Sequence, residues 1–215
     1  MIAVVDAGTG NLRSVVRALE ASAPGAKSSS IVITRDPDEI RRAARIVMPG
    51  QGAFGDCARA LAADGGALAA SVRESIRAGK PFLGICLGLQ VLFGSSDEAP
   101  GCAGLGVFPG HVKRFASGMR DDDGELLKIP HVGWNRAECA NDAARGWLEG
   151  DHWFYFVHSY VVVPDDPALV GTRTTHGEKF VSSVCRDNVL AVQFHPEKSQ
   201  RAGLSLLGRW LARNE

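Results

Sequence analysis

Short apolar runs alternate with amphipathic helical stretches along the first part of the chain. Each run is apolar without interruption, as in strands that are buried on both faces of a parallel sheet. Between the runs, leucine, valine and isoleucine recur at helical spacing, and glycine or proline marks several helix ends. This order of elements predicts an α/β fold with helices on both faces of a parallel sheet. The predicted strands are residues 2–5, 31–33, 46–48 and 82–85, and the predicted helices start after Asn11, at Pro37 and at Phe54.

The second half of the chain has strand-like runs that are joined mainly by short turns. These runs predict antiparallel additions to the sheet, or a small second sheet. A last helix presents Leu204, Leu207 and Leu211 on one face. Because no linker, repeat or low-complexity tract divides the chain, we expect one domain over residues 1–215, with an open, mostly parallel twisted sheet. The runs are residues 106–115, 126–129, 153–163, 169–174, 180–185 and 189–194, with a turn at residues 121–124.

The composition argues against several classes of protein. Apolar residues make up 45% of the 215 residues, and 24 basic residues balance 24 acidic ones. This balance is typical of a globular chain and argues against broad electrostatic binding to nucleic acid or to an anionic membrane. No apolar run approaches the roughly 20 residues that cross a bilayer, and the N-terminal residues do not resemble a signal peptide.

The five cysteines cannot all pair, because their number is odd. None lies in a Cys-x-x-Cys arrangement and the histidine spacings match no zinc site, so we expect no metal. Free thiols in a cytoplasmic protein are the simplest interpretation. We expect most of these thiols to be small buried side chains, with Cys86 as the exception.

Cys86 lies between two glycines, Gly84 and Gly88, where a buried strand is predicted to turn into a helix. This is the pattern of a nucleophile elbow, with cysteine in place of serine. The glycines permit a sharp turn and a close approach of the backbone, and a helix N-terminus favours the thiolate. The alternative is a buried structural cysteine between two helix-breaking glycines.

His195 and Glu197 follow the last apolar run. Residues two apart on an extended backbone point to the same side, so these two side chains can touch. A carboxylate beside an imidazole orients the ring and stabilises its protonated form, which is the role of the third member of a catalytic triad. A surface histidine followed by an exposed acid is the alternative, and the pairing with Cys86 argues against it.

Residues 49–55 follow a predicted strand and precede a predicted helix. They match the Gly-x-Gly-x-x-Gly pattern of dinucleotide-binding proteins, but they follow the third strand and lack a well-placed acid. A backbone segment at Gly50, Gln51 and Gly52 that offers an N–H group to an oxyanion is the better interpretation.

Together these motifs resemble the class I, or triad-type, glutamine amidotransferases, which have a flavodoxin-like α/β fold. Residues 84–90 and 194–197 are similar to the two signature motifs of that family, and residues 49–52 to its oxyanion segment. Residues 10–14, 130–135, 156–160 and 195–199 are similar to motifs of the family members that serve histidine biosynthesis. The resemblance extends over nearly the whole chain.

The resemblance implies hydrolysis of glutamine to glutamate and ammonia without a cofactor. Cys86 would attack the carboxamide, His195 would move the protons and Glu197 would hold His195. The backbone N–H groups of Leu87 and of residues 50–52 would stabilise the oxyanion. By the same resemblance, the amino-acid end of glutamine would be held by Gln90, His158, Ser159 and Tyr160.

The resemblance also implies a partner, a (β/α)8-barrel cyclase that uses the ammonia to form imidazole glycerol phosphate and an aminoimidazole carboxamide ribotide. Asn11, Trp134 and Tyr155 are candidates for the interface with this partner. Each has an alternative: Asn11 as a helix cap, and Trp134 and Tyr155 as core aromatics. Trp134 is expected in a loop, between Gly133 and Asn135.

Three other functions remain open from the sequence. The chain resembles, less closely, the glutaminases that serve anthranilate, aminodeoxychorismate, guanylate or pyridoxal phosphate synthesis. A flavodoxin-like module that binds a nucleotide at residues 50–55, with no catalysis, is a second alternative. A cysteine hydrolase that is active without a partner is the third.

Overall fold

The computed structural model describes residues 1–22, 31–148 and 152–213. Eleven strands within these ranges pair into a single sheet. The strands are β1 (Ile2–Val5), β2 (Ile31–Thr34), β3 (Arg45–Gly50), β4 (Phe82–Cys86), β5 (Gly110–Arg114), β6 (His131–Cys139), β7 (His152–His158), β8 (Tyr160–Pro164), β9 (Val170–His176), β10 (Glu178–Arg186) and β11 (Val189–Val192). The helices are α1 (Leu12–Ser22), α2 (Pro37–Arg42), α3 (Phe54–Arg77), α4 (Leu87–Gln90), α5 (Asp142–Arg145) and α6 (Gln200–Ala212).

The sheet has a parallel part and an antiparallel part. Its main strand order is β2-β1-β3-β4-β11-β10-β9-β6-β7, with β8 pairing with β10 and β5 with β8. Strands β2, β1, β3, β4 and β11 are parallel to one another, and the remaining pairs are antiparallel. This confirms the predicted fold class. Strands β4 and β11, which carry the candidate nucleophile and the candidate histidine at or just after their carboxyl ends, are direct neighbours.

Side chains of the parallel strands alternate between two cores because successive residues of a strand point to opposite faces. In β1, Val4 packs with α1 and α6, where Leu19 and Trp210 are fully buried. Val5, on the other face, packs with α2 and α3, represented by Ile40 and Val72. Covering helices on both faces explain why these strands read as unbroken apolar runs.

Helix α3 confirms the interruption indicated by Gly65 and Gly66. Residues 63–66 leave the helical conformation, with φ values of 52°, 71° and 77° at Asp64, Gly65 and Gly66. Glycine adopts these left-handed angles without the clash of a β-carbon. Two helical segments therefore meet at a kink within the region that the sequence pattern assigned to helix.

Three predictions in the second half are wrong in detail. Residues 126–129 form no strand, since their pairing is limited to one bridge between Arg120 and Leu126. The run at residues 153–163 is two strands, β7 and β8, which a bend at Ser159 separates. Strand β6 lies in a region expected to be a loop. In α6, Gly203, Leu206, Leu207 and Trp210 are buried, and Leu204 and Leu211 pack half-buried against the same core as Leu207.

No helix in the described part of the chain is both long enough and apolar enough to cross a membrane.

Candidate active site

Cys86 is the last residue of β4 and adopts a φ of 54° and a ψ of −102°. This conformation is rare for a residue with a β-carbon and turns the chain sharply out of the strand. A β-carbon on Gly88 would lie 1.8 Å from the carbonyl oxygen of Met48, and one on Gly84 would lie 2.7 Å from the carbonyl oxygen of Gly88. Both glycines are therefore required by close backbone contacts on either side of the nucleophile.

The helix that follows the elbow is shorter than expected. Helix α4 is a single turn, Leu87–Gln90, and the chain leaves it at Val91. Cys86 is the N-cap residue of this turn, as predicted, so its thiol lies beside the free N–H groups at the start of α4. That these groups favour the thiolate stays a prediction.

His195 and Glu197 are held together by a short hydrogen bond. The Nδ1 atom of His195 lies 2.8 Å from Oε1 of Glu197, and both side chains are at most 2% exposed. The other ring nitrogen, Nε2, is buried, has no hydrogen bond of ordinary length within the described residues, and faces the Cys86 sulfur. The three side chains that the sequence singled out therefore lie in one row.

The electrostatics of this row favour a charged imidazole. Burial lowers the pKa of His195, but the neighbouring Cys86 sulfur and the Glu197 carboxylate outweigh burial and raise the pKa to about 9. Opposite charges within a few ångströms stabilise the ionised form in this way. At neutral pH, His195 therefore carries a proton beside the sulfur.

The backbone of His195 is anchored to β7. Its N–H group donates to the carbonyl oxygen of Tyr155 at 2.9 Å. The hydroxyl of Ser199 donates to the carbonyl oxygen of His195 at 2.6 Å and accepts from the N–H group of Tyr155 at 2.9 Å. Beside it, the Phe194 ring stacks on that of Phe154, with the centroids 3.9 Å apart. These contacts fix the position of the imidazole.

The oxyanion segment, residues 50–52, lies next to the nucleophile. Gly50 ends β3 and is the register partner of Cys86 in the β3–β4 pair. Gly52 has a φ of 102°, which an L side chain rarely adopts. A β-carbon on Gly50 would lie 2.8 Å from Cβ of Leu87, so the segment and the first residue of α4 are in close contact.

A cavity of about 330 Å³ opens in front of the Cys86 sulfur. It brings together most of the residues that the sequence analysis assigned to the oxyanion and to glutamine. Gly50 lies behind the wall rather than in it. The lining residues are Gln51, Gly52, Cys86, Leu87, Gln90, Glu98, Pro130, Val157, His158, Ser159, Tyr160 and Lys198.

The ring of His158 has no free nitrogen with which to bind glutamine. Its Nδ1 lies 2.9 Å from the carbonyl oxygen of Tyr160, which can only accept, and its Nε2 lies 3.1 Å from Nδ1 of His131. The Nε2 atom of His131 is in turn 3.1 Å from the amide nitrogen of Asn135. Burial and the neighbouring His131 lower the pKa of His158 to about 3. The ring of His158 is thus a neutral brace of the cavity wall, and the part of this residue in holding glutamine stays a prediction.

Three residues of the site have no role in the sequence analysis. The Oε2 atom of Glu98 accepts the N–H group of Phe54 at 2.7 Å, and the side chain lines the cavity. Gln193 is fully buried, and its amide nitrogen lies 3.5 Å from the Cys86 sulfur. Ser199 joins His195 to β7. Gln193 and Ser199 flank the His195 motif, but nothing in their spacing distinguishes them from ordinary core and turn residues.

Two of the candidate interface residues form an aromatic pair on the outer face of the sheet, Trp134 exposed and Tyr155 half-buried. Trp134 on β6 and Tyr155 on β7 are register partners whose ring centroids lie 6.3 Å apart. Trp134 is 44% exposed on a strand, so its alternative as a core aromatic is wrong. Val132 and Trp153, on the same outer face, are 56% and 58% exposed. We call Val132, Trp134, Trp153 and Tyr155 the β6–β7 patch.

Asn11 is distant from this patch along the sequence. It caps the N-terminus of α1. Its side-chain oxygen accepts the N–H group of Ser14 at 3.3 Å. The preceding Gly10 has a φ of 103°, and a β-carbon there would lie 3.3 Å from Cα of Gly50. The loop that carries Asn11 thus packs against the oxyanion segment.

This fold and site are those of a known class of enzyme. A family profile described as "Glutamine amidotransferase class-I" matches residues 3–211. The chain therefore belongs to the class-I glutamine amidotransferase family, whose members hydrolyse glutamine. The solved structure of PurLQS from Thermotoga maritima superposes with a TM-score of 0.69 at 20% identity, covering 98% of this chain and 96% of that one, which supports the fold alone.

Within the family, several relatives that match over nearly their full length share one description. The "Imidazole glycerol phosphate synthase subunit HisH" of Nitrosospira multiformis is 50% identical over 215 residues, covering 98% of this chain and 96% of the relative. The subunit of the same name from Nitrosomonas europaea is 48% identical, covering 98% of this chain and 97% of the relative.

Proposed function

We propose that the chain is the glutaminase subunit of an imidazole glycerol phosphate synthase, with Cys86 as nucleophile, His195 as proton shuttle and Glu197 as its orienting partner. The observation that carries the proposal is the row of three side chains behind the cavity: a strained cysteine that lines it, a buried imidazole, and a carboxylate 2.8 Å from Nδ1 of that imidazole. The full-length similarity to HisH subunits supports the assignment to this synthase over the other glutaminases.

The first half-reaction forms a thioester. The Cys86 thiolate attacks the side-chain carbonyl carbon of glutamine, and the C–O π electrons move to the oxygen. As the tetrahedral intermediate collapses, the C–N bond breaks and the imidazolium of His195 gives its Nε2 proton to the departing nitrogen, which leaves as ammonia. Neutral His195 then removes a proton from water, which attacks the thioester and releases glutamate and the thiolate.

Oxyanion stabilisation falls to backbone donors. The N–H group of Leu87 belongs to the first residue of α4, so it has no acceptor within the helix. The second donor comes from the oxyanion segment, where Gly52 already adopts an angle that only glycine reaches easily. Loss of one such donor raises the barrier by roughly 3 kcal/mol.

The orientation of Gln90 indicates how it binds glutamine. Its Nε2 atom donates to the carbonyl oxygen of Tyr160 at 3.1 Å and to Oε1 of Gln193 at 3.2 Å. Both hydrogens of the amide are thereby used, and only its oxygen remains for the substrate. With the carboxylate of Glu98, this oxygen forms an acceptor pair that suits the α-ammonium group of glutamine. Ser159 and Tyr160 line the same cavity.

The ammonia is passed to a cyclase subunit, which we propose to be a (β/α)8 barrel that docks on the β6–β7 patch and on the Asn11 loop. Large exposed aromatic side chains are typical of the energetic centres of interfaces. Lys198 lines the cavity, and its ammonium lies 5.9 Å from the centroid of the Tyr155 ring. Lys198 thus links the lining of the cavity to the Tyr155 side of the patch, where we propose that ammonia passes to the partner.

Docking would also switch the site on. The Gly10 loop lies against Gly50, and Gly50 and Gly52 permit two orientations of the peptides between them. One orientation directs a carbonyl at the nucleophile and the other directs an N–H group into the oxyanion hole. A partner that binds the second state more tightly shifts the population towards it. Moving from about 1:99 to 99:1 requires roughly 5.5 kcal/mol of differential binding.

The decisive experiment measures glutaminase turnover for the free chain, for its complex with the cyclase, and for that complex with the nucleotide ligand. We expect turnover to rise in this order. In the complex, Cys86→Ala should abolish synthesis from glutamine and leave synthesis from added ammonia intact. Glutamate release by Cys86→Ala at the wild-type rate would contradict the triad. Full turnover of the free chain, unchanged by the cyclase, would support a hydrolase that needs no partner.

We propose a cytoplasmic location, since all five cysteines are free thiols.

A further inference from the structure

Gln193 is a fully buried polar residue that the triad does not explain. It follows β11 directly, and its backbone N–H group donates to the carbonyl oxygen of Ser182 at 2.8 Å. Its side chain lies between two residues of the site: Oε1 is 3.2 Å from Nε2 of Gln90, and Nε2 is 3.5 Å from the Cys86 sulfur. The second distance is ordinary for a hydrogen bond to sulfur.

The donors and acceptors in this series of hydrogen bonds can be assigned from the backbone carbonyl group of Tyr160, which lies at one end of it. The carbonyl oxygen of Tyr160 can only accept, so the group of Gln90 that faces it must be the amide nitrogen. The same nitrogen faces Gln193, which must therefore present its oxygen to Gln90. The amide nitrogen of Gln193 is left pointing at the sulfur, since an amide has one oxygen and one nitrogen. One assignment of the two amide groups satisfies all three contacts. In this assignment the amide nitrogen of Gln193 donates to the Cys86 sulfur.

We propose that Gln193 is a fourth catalytic residue, which donates a hydrogen bond to the Cys86 sulfur and stabilises it as the thiolate. The inference rests on the proposed function, since it concerns the same nucleophile. The donor acts in both half-reactions. It favours the thiolate before attack, and it stabilises the same thiolate when it leaves the thioester, whereas the neutral thioester sulfur is a poor acceptor.

The charges around the sulfur explain why such a donor is useful. The imidazolium of His195 is a cation beside the sulfur, and it gives its proton away during the proposed reaction. Glu98 lines the same cavity with a negative charge, and the neutral ring of His158 offers none to balance it. Lys198 also lines the cavity but lies over the Tyr155 ring. Gln193 therefore provides a fixed positive dipole that remains in place when His195 becomes neutral.

Two variants of similar size separate this role from simple packing. Gln193→Met fills the space but offers no donor. Gln193→Glu keeps an oxygen for Gln90 and replaces the donor on the sulfur with a negative charge. If Gln193 served only to brace Gln90, the glutamate variant would resemble the wild type and the methionine variant would be the impaired one.

The test is the pH profile of Cys86 alkylation by iodoacetamide, followed by peptide mass spectrometry on the full chain. We expect the midpoint of the profile to rise by about one pH unit in Gln193→Met and by more in Gln193→Glu. Glutaminase kcat/KM of the complex with the cyclase should fall about tenfold at pH 7 in Gln193→Met and recover at higher pH. A folded Gln193→Met variant with the wild-type profile would overturn the inference.

A measurement on the wild-type chain avoids the risk that a variant does not fold. The side-chain amide ¹⁵N resonance of Gln193 should move over the pH range in which Cys86 becomes reactive, and should lose this response after alkylation. If the resonance does not change with pH in that range or after alkylation of Cys86, the hydrogen bond is refuted. Alkylation and NMR need no glutamine, so they remain decisive even if Cys86→Ala shows that the proposed function is wrong.

Discussion

Tyr155, on a strand of the β6–β7 patch, holds the backbone of His195. Its carbonyl oxygen accepts the N–H group of His195 at 2.9 Å, while its ring forms the outer face with Trp134. One residue of β7 thus contacts both the surface proposed for the cyclase and the backbone of the proposed proton shuttle.

The β6–β7 patch should govern assembly with the cyclase. We expect Trp134→Ala to weaken binding about tenfold or more, because a large aromatic side chain at the centre of an interface carries more than about 1 kcal/mol. Ile33→Ala is a matched control, since Ile33 is 41% exposed on β2 at the opposite edge of the sheet. Titration calorimetry measures both affinities, and equal affinities for the two variants would exclude the patch.

The two partners of the nucleophile should differ in their effect on catalysis. We expect His195→Ala to reduce kcat by several orders of magnitude and Glu197→Gln to reduce it less. The reason is that Glu197 stabilises the imidazolium but transfers no proton. Steady-state kinetics of the complex with the cyclase checks the order. A greater loss in Glu197→Gln would mean that Glu197 takes part in the proton transfer directly.

Charge on His195 should make stability depend on pH. The raised pKa of about 9 lies above the value of roughly 6.5 expected in the unfolded chain. The resulting stabilisation is complete below about pH 6.5 and is lost as the pH rises through about 9. Urea unfolding at pH 6.5 and pH 9.5 should therefore show a loss of a few kcal/mol for the wild type. His195→Gln should lose distinctly less over the same interval, and equal losses would show that His195 is neutral in the folded chain.

The elbow glycines should be intolerant of a single methyl group. Gly88→Ala places a β-carbon 1.8 Å from the carbonyl oxygen of Met48, so β3 and α4 must move apart. We expect the free energy of unfolding to fall by about 3 kcal/mol or more. Gly94→Ala is the control, because nothing lies within 4 Å of its added β-carbon and its φ is ordinary, so it should change stability by less than about 1 kcal/mol. Thermal and urea unfolding of both variants compares them directly.

The failures of sequence reasoning have physical causes. The sequence pattern did not predict strand β6, because its apolar side chains Val132 and Trp134 point to the outer face. A strand that is covered on one side normally carries polar residues on that face. The proposed binding of the cyclase at this face would explain why apolar residues replace the usual polar ones. Residues 126–129 are apolar enough for a strand but have no neighbouring strand along their length.

The sequence by itself determined the parallel part of the sheet, the elbow at Cys86 and the spacing of His195 and Glu197. These features depend on neighbours within a few residues, where periodicity, glycine and the alternation of a strand decide the outcome. The tertiary structure alone decided three other features. These are the hydrogen bonds of Gln193, the hydrogen bonds that occupy both ring nitrogens of His158, and the exposure of Trp134. A side chain's hydrogen-bond partners lie on strands that are distant in sequence, and the direction of an amide is set only when those partners meet.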